Sequence, residues 1–231
     1  MAILYGFVPN QLGLCGPEDR KKKKIISRYL GGEKKLEGEI KKILKDFKGA
    51  YPYYRLIAHS NKINNPLDEK VVEAYWTGNE LLNKVKVCDF RKMMKSEFLP
   101  MGKMPRGKIE NLPETAFPFH NFHVLFIGSA TGRFKETKKG LDLCRISWGE
   151  VIKIEKDKIT VRRQPLKFGK KLTLGKLADR VISWDKKIVL SAKRGDWLSI
   201  HWNNAAEKLN KEKLENIRKY TAKVIKIINK I

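Results

Sequence analysis

Apolar residues along this chain follow two different periods, one on each side of Pro118. In residues 20–30, Ile25, Ile26, Tyr29 and Leu30 share one helical face between Pro17-Glu18-Asp19 and Gly31-Gly32. An acidic start, a three-and-four spacing and a glycine stop predict a helix. Leu36, Ile40, Ile43, Leu44 and Phe47 predict a second over 33–47, stopped by Gly49. Residues 51–57 are rich in aromatics and fit either a helix or a strand; 61–66 read as a loop. A third helix is expected over 68–86, with Val71, Val72, Tyr75, Leu81, Leu82 and Val85 inward. Gly78 inside it costs about 1 kcal/mol relative to Ala, which marks a close contact. Helix continues over 89–98, and 100–118, with four prolines and two glycines, reads as a loop.

Beyond Pro118 the pattern shortens to that of strands. Residues 119–127 alternate aromatic or aliphatic side chains with His and Asn, and β-favouring runs follow at 143–154, 159–163, 181–183, 188–190 and 197–202. Gly195-Asp196 supplies a turn. Short strands without intervening helices argue for a barrel or sandwich. Residues 210–231 close the chain as a helix, with Leu214, Ile217, Val224, Ile225 and Ile228 available for packing. The expected class is therefore α+β: a helical domain over 1–117, then a small β-barrel domain with a C-terminal helix over 118–231.

Composition sharpens this picture in three places. The chain has 231 residues, 42% hydrophobic and 32% charged, enough apolar content for packed cores. Its 50 Lys+Arg against 25 Asp+Glu give a net charge of +25, a field that attracts polyanions or an acidic partner. The abundance of Lys, Ile and Asn throughout also fits a genome biased towards A and T. A nucleic-acid reading would use Arg162, Arg163, Lys170, Lys171, Lys193 and Arg194 with Trp184 and Trp197, although the basic residues are spread along the whole chain. Three widely separated cysteines argue against a disulfide framework and for a reducing, cytoplasmic setting. The opening segment is broken by Pro9 too early for a signal peptide, and no apolar run reaches the roughly 20 residues that cross a bilayer.

Candidate chemistry gathers at cysteine and histidine. Cys15 lies just before a predicted helix, where the macrodipole favours a thiolate. His120 and His123 on a strand would face opposite ways, so one is expected as a ligand unless the chain bends. Cys88 is expected as a core thiol; His59 and His201 are read as structural. An enzyme pairing Cys144 or Cys15 with His120 or His123 has suitable residue types but no local signature. No phosphate-binding glycine loop, Cys-x-x-Cys pair or His-Glu-x-x-His helix is present.

The run Cys144-Arg145-Ile146-Ser147-Trp148-Gly149-Glu150-Val151 resembles the opening of the HypC family of hydrogenase maturation chaperones: a cysteine, three residues, Pro-Gly, one residue, then Val. Gly195-Asp196-Trp197-Leu198-Ser199-Ile200-His201, followed by Ala206-Glu207-Lys208-Leu209, is similar to that family's last strand and the small-residue turn leading to its acidic helix. Here Trp148 stands at the family's Pro, Cys144 lies inside the chain, and residues 167–192 are longer than the family's middle. The resemblance implies an OB-like barrel that presents Cys144 at its edge as a soft thiolate ligand for iron bearing cyanide and carbon monoxide. It implies a client metalloprotein, such as a hydrogenase subunit or another maturation factor, and no substrate turnover. In that picture Cys15 faces Cys144, and His120 or His123 completes the iron site.

Overall fold

The computed structural model describes residues 1–101, 106–129 and 132–231. Ten helices and seven strands are found among the described residues. The helices are α1 (Ala2–Gln11), α2 (Arg20–Leu30), α3 (Glu37–Leu44), α4 (Tyr51–Ser60), α5 (Glu69–Trp76), α6 (Val87–Glu97), α7 (Arg106–Glu110), α8 (His120–Phe122), α9 (Lys138–Cys144) and α10 (Lys211–Ile228). The strands are β1 (Ser147–Glu155), β2 (Lys158–Arg163), β3 (Leu166–Phe168), β4 (Leu172–Leu174), β5 (Ala178–Ser183), β6 (Trp197–His201) and β7 (Asn204–Leu209). No helix among the described residues is long and apolar enough to cross a membrane.

Local chemistry accounts for the element ends. Asp19 caps α2 by accepting from the Lys21 and Lys22 amides, and Asn210 caps α10 through Lys213. The helix expected over 68–86 stops at Trp76, because Gly78 takes φ +86° and the Tyr220 ring of α10 occupies the space that a Cβ would need. Asn79 then caps a short 3-10 helix, Glu80–Lys84. The second expected helix is likewise split, into a 3-10 turn at Lys34–Leu36 and α3. Residues 51–60 resolve to helix.

Several expectations after position 100 are corrected. Of the loop expected over 100–118, residues 102–105 lie outside the described residues, and Arg106–Glu110 is helical. The strand expected over 119–127 is instead α8 running into a π-helical turn, His123–Ile127, closed by Gly128 N–H to the His123 carbonyl at 2.9 Å. Alternation of bulky side chains misled here because the segment is buried on all sides, which erases the period of a helix. Residues 138–144 are helix and only 147 onward is strand, so Cys144 ends a helix. The segment 188–190 forms no strand: Ile188 and Val189 fill the core from a turn. Residues 204–209, expected to lead into a helix, form β7.

β1 pairs antiparallel with β2 and β6, β2 with β5, and β6 with β7, while one parallel bridge from Ser183 to Asn204 joins β5 to β7. The sheet thereby closes on itself in the order β1-β2-β5-β7-β6, and β3-β4 forms a separate hairpin. Val151, Val161, Ile182, Leu198 and Ile200 fill its interior, with Leu4, Phe7 and Val8 of α1 packed against them. The larger core draws on both sides of position 118: Tyr53, Tyr75 and Phe90 meet Phe119, Phe122, Ile146 and Tyr220. α1, a helix that no expectation covered, lies between the two cores. Cys88, expected inside, is exposed at the start of α6.

Candidate metal centre

Pro9 sits inside α1 and has no N–H to give to the carbonyl four residues back, that of Tyr5. That carbonyl instead accepts from His201 Nδ1 at 2.9 Å. Because a carbonyl only accepts, Nδ1 carries the proton, and Nε2 of the neutral ring keeps its lone pair. His201 ends β6, immediately before the tight turn at Trp202 and Asn203, both with φ near +50° to +60°. Its backbone is tied to α9 through Trp202 N–H to the Leu143 carbonyl at 2.8 Å, one residue before Cys144.

His120 reaches the same place from the other side. The Asn121 side chain accepts from Ile146 N–H at 2.7 Å and donates to the Ile146 carbonyl at 2.8 Å and to Thr221 Oγ at 2.9 Å. This buried clamp holds the α8 turn against the start of β1 and against α10. The His120 ring stacks on Trp76, centroids 4.6 Å apart, and meets His201 edge-on at 5.2 Å. Trp76 stacks in turn on Tyr5, at 4.9 Å.

Behind Cys144 lies an ionic network. Asp142 Oδ1 accepts from Arg145 Nε at 3.0 Å and from Leu166 N–H at 2.9 Å, Asp142 Oδ2 accepts from Arg163, and Arg145 also donates to the Gln164 carbonyl at 2.6 Å. Arg145 is 1% exposed and Arg163 5%. Burial lowers both guanidinium pKa values, that of Arg145 to about 10, against the pull of Asp142. They stay cationic at neutral pH, fixing the end of α9 from which Cys144 projects.

The outcome is a nest. His120, Cys144 and His201 each present one donor atom, and all three atoms lie within 4.8 Å of one another. His120 Nδ1 and His201 Nε2 are buried without a hydrogen-bond partner. Burial pushes the Cys144 thiol far up, with Cys15 adding to the rise and the Trp202 indole opposing it. Burial also drives His120 well below the usual imidazole range, and His201 to about 4. Both rings are therefore neutral, the form that ligates metals. The nest opens into a cavity of ≈ 50 Å³ also walled by Cys15, His123 and Phe134, room for an ion and a few small ligands.

Sequence-expected residues thus meet unequally. Cys144, Cys15, His120 and His123 all line this cavity, which a helical turn allows because positions three apart share a face. Only His120 and Cys144 belong to the close set. His123 Nδ1 is occupied by the Tyr53 hydroxyl at 2.6 Å, and burial takes its pKa to about 4. Cys15 lies on the wall but outside the 4.8 Å group. Two expectations are corrected. Cys144 is buried, at 9% exposure, because α9 and the Trp202 turn fold over it, so it stands at no open edge. Cys15 is not at the helix start, which Asp19 caps; burial raises its thiol to about 11, against the opposing Gly16 amide and Arg133 charge. His201, read from sequence as structural, joins His120 and Cys144 in the close set.

The basic and aromatic residues of the nucleic-acid reading sit in different surroundings. Arg162 is engaged by Asp179 at 2.8 Å and Arg163 by Asp142. Trp184 is buried, and Trp197 is covered by Arg218 at 4.6 Å. Lys170, Lys171, Lys193 and Arg194 are exposed on loops.

Fold and site together define a mixed helix-and-sheet protein with a buried nest of two histidines and one cysteine. Over residues 2–231 the chain matches the model described as a family of unknown function (DUF6390), and it belongs to that family. No curated protein and no solved structure gives a significant match.

Proposed function

We propose that this protein is a metal-centre assembly factor that holds a transition metal, iron foremost, between His120, Cys144 and His201 and delivers it to a client metalloprotein. The convergence of one donor atom from each of His120, Cys144 and His201 within 4.8 Å, with an unpartnered buried nitrogen on each imidazole, carries this reading. Imidazole and thiolate are borderline to soft donors that suit iron, zinc and copper over magnesium or calcium. A metal here would supply a binding site for further small ligands in the ≈ 50 Å³ cavity. The chain's own residues orient the donors: Tyr5 O fixes the His201 tautomer, Trp76 holds the His120 ring, and Trp202 lines the cavity beside Cys144.

A relationship to the HypC chaperones is supported by placement. Cys144 directly precedes β1, His201 ends β6, and the closed strand order β1-β2-β5-β7-β6 is that of an OB-like barrel once the β3-β4 hairpin is set aside. On this reading the client is a hydrogenase subunit or another maturation factor. Delivery from a buried site requires the cover at Phe134 and Trp202 to part when the client docks.

The test is anaerobic purification of the full chain, followed by metal analysis and infrared spectroscopy across the cyanide and carbonyl stretching region. About one metal per chain is expected, lost in His120→Ala and Cys144→Ser. A folded parent that takes up neither iron, zinc nor cobalt would refute the proposal.

A further inference from the structure

The next step rests on the metal reading above and concerns the charge and ligand count of the same site. Among the described residues, no Asp, Glu, Lys or Arg lines the cavity; its walls are aromatic, aliphatic, glycine, serine, histidine and cysteine. Just outside it, the Glu136 carboxylate behind Gly128 and Ser129 and the Arg133 guanidinium on Gly16 carry opposite charges, so within the wall itself only the metal and the thiolates carry charge. A divalent ion with the Cys144 thiolate and two neutral imidazoles leaves one uncompensated positive charge in a buried place, a costly state. A second thiolate on the same wall removes it.

Cys15 is that second sulfur. It lines the same cavity as the nest and packs beside Gly49. Each sulfur has an N–H group in its neighbourhood: Gly16 follows Cys15 in the chain, and Trp202 lines the cavity with Cys144. Donors aimed at sulfur stabilise thiolate and accompany metal-bound cysteines as outer-shell partners. Arg133, anchored on the Gly16 carbonyl at 2.7 Å and on Glu18 at 3.0 Å, adds positive potential from outside the wall. Cys15 rides on the segment joining α1 to α2, where Gly13 and Gly16 take φ +74° and +76°.

We propose that the resident ion is a bare divalent metal of the zinc, cobalt(II) or iron(II) class, held four-coordinate by the close set His120, His201 and Cys144 and by Cys15 drawn in from the cavity wall. Two S–H bonds break, two metal–sulfur bonds form, and two protons leave to solvent, so the filled site is neutral. Iron(II) carrying two cyanides brings no net positive charge; with two thiolates it would leave two uncompensated negative charges. The same wall therefore disfavours the dicyano-carbonyl fragment.

The full-length, metal-free protein titrated anaerobically with cobalt(II) reads the ligand count. The parent is expected to bind one cobalt with tetrahedral visible bands and sulfur-to-cobalt absorption of two thiolates. Cys15→Ser and Cys15→Ala should keep one cobalt but lose about half that absorption, and zinc affinity should fall roughly a hundredfold or more, beyond the effect of losing an outer-shell partner. X-ray absorption on the zinc-loaded parent, which needs no variant, should show two sulfur and two nitrogen neighbours. One sulfur with two nitrogens, or unchanged absorption in the Cys15 variants, overturns this inference and leaves the three-donor reading standing. A folded parent that binds none of these ions overturns both.

Discussion

The two sides of Cys144 treat their buried polar groups in opposite ways. Towards the sheet, Asp142, Arg145, Arg163 and the Asn121 clamp pair with one another and with backbone groups, tying together α8, α9, β2, β3 and α10. On the cavity side, His120 Nδ1 and His201 Nε2 are buried with no partner. Burying a polar atom unsatisfied costs roughly 1–3 kcal/mol. The satisfied side is thus scaffold, and the unsatisfied side is where the fold carries a cost that a ligand would offset.

Variants on each side should separate these roles. The largest stability loss is expected for Asp142→Ala, which strips two buried guanidiniums of their carboxylate: about 3–5 kcal/mol in urea denaturation of the metal-free protein. A loss under 1 kcal/mol would show that the network is not structural. Asn121→Leu should cost about 2–4 kcal/mol by the same measurement, since three buried hydrogen bonds go and their partners are stranded. Cys144→Ala, on the cavity side, should cost the metal-free protein only about 1 kcal/mol while abolishing metal uptake, and a loss as large as that of Asp142→Ala would erase the distinction.

Smaller effects should appear in affinity. Burial keeps both thiols protonated at neutral pH, Cys15 up to about 11, and binding displaces those protons. Metal affinity should therefore rise with pH, about tenfold per unit for each thiol that ionises, in competition titrations between roughly pH 6 and 8. A flat profile would mean that no thiol proton leaves. Pro9→Ala restores an N–H that competes with His201 for the Tyr5 carbonyl and should weaken binding about tenfold, the lower end for an outer-shell partner.

Much of the helical frame was legible because amphipathic spacing is local: α2 and α10 fall where the apolar residues place them, α4 settles a segment that fitted helix or strand, and Gly78 does mark a close approach. The turn carrying His120 was not, because its neighbours Phe119, Asn121 and Phe122 are all buried and leave no polar face to set a period. Cys144 and Cys15 could be chosen from residue type and motif, and both do line one cavity. His201 needed its tautomer fixed by a proline-freed carbonyl 196 residues away in the chain, a relation that no local pattern encodes. The Asp142 network was equally invisible, since its members are drawn from α9, β2 and the loop between β2 and β3.

The most direct test of the nest is metal content at equal folding. Parent and His120→Ala/His201→Ala protein, matched by circular dichroism and loaded anaerobically with iron(II), would be desalted and assayed for bound metal. About one ion per parent chain and almost none per variant chain is the expected result. Equal retention by both proteins would contradict the site, because the two imidazoles would then contribute nothing to holding the ion.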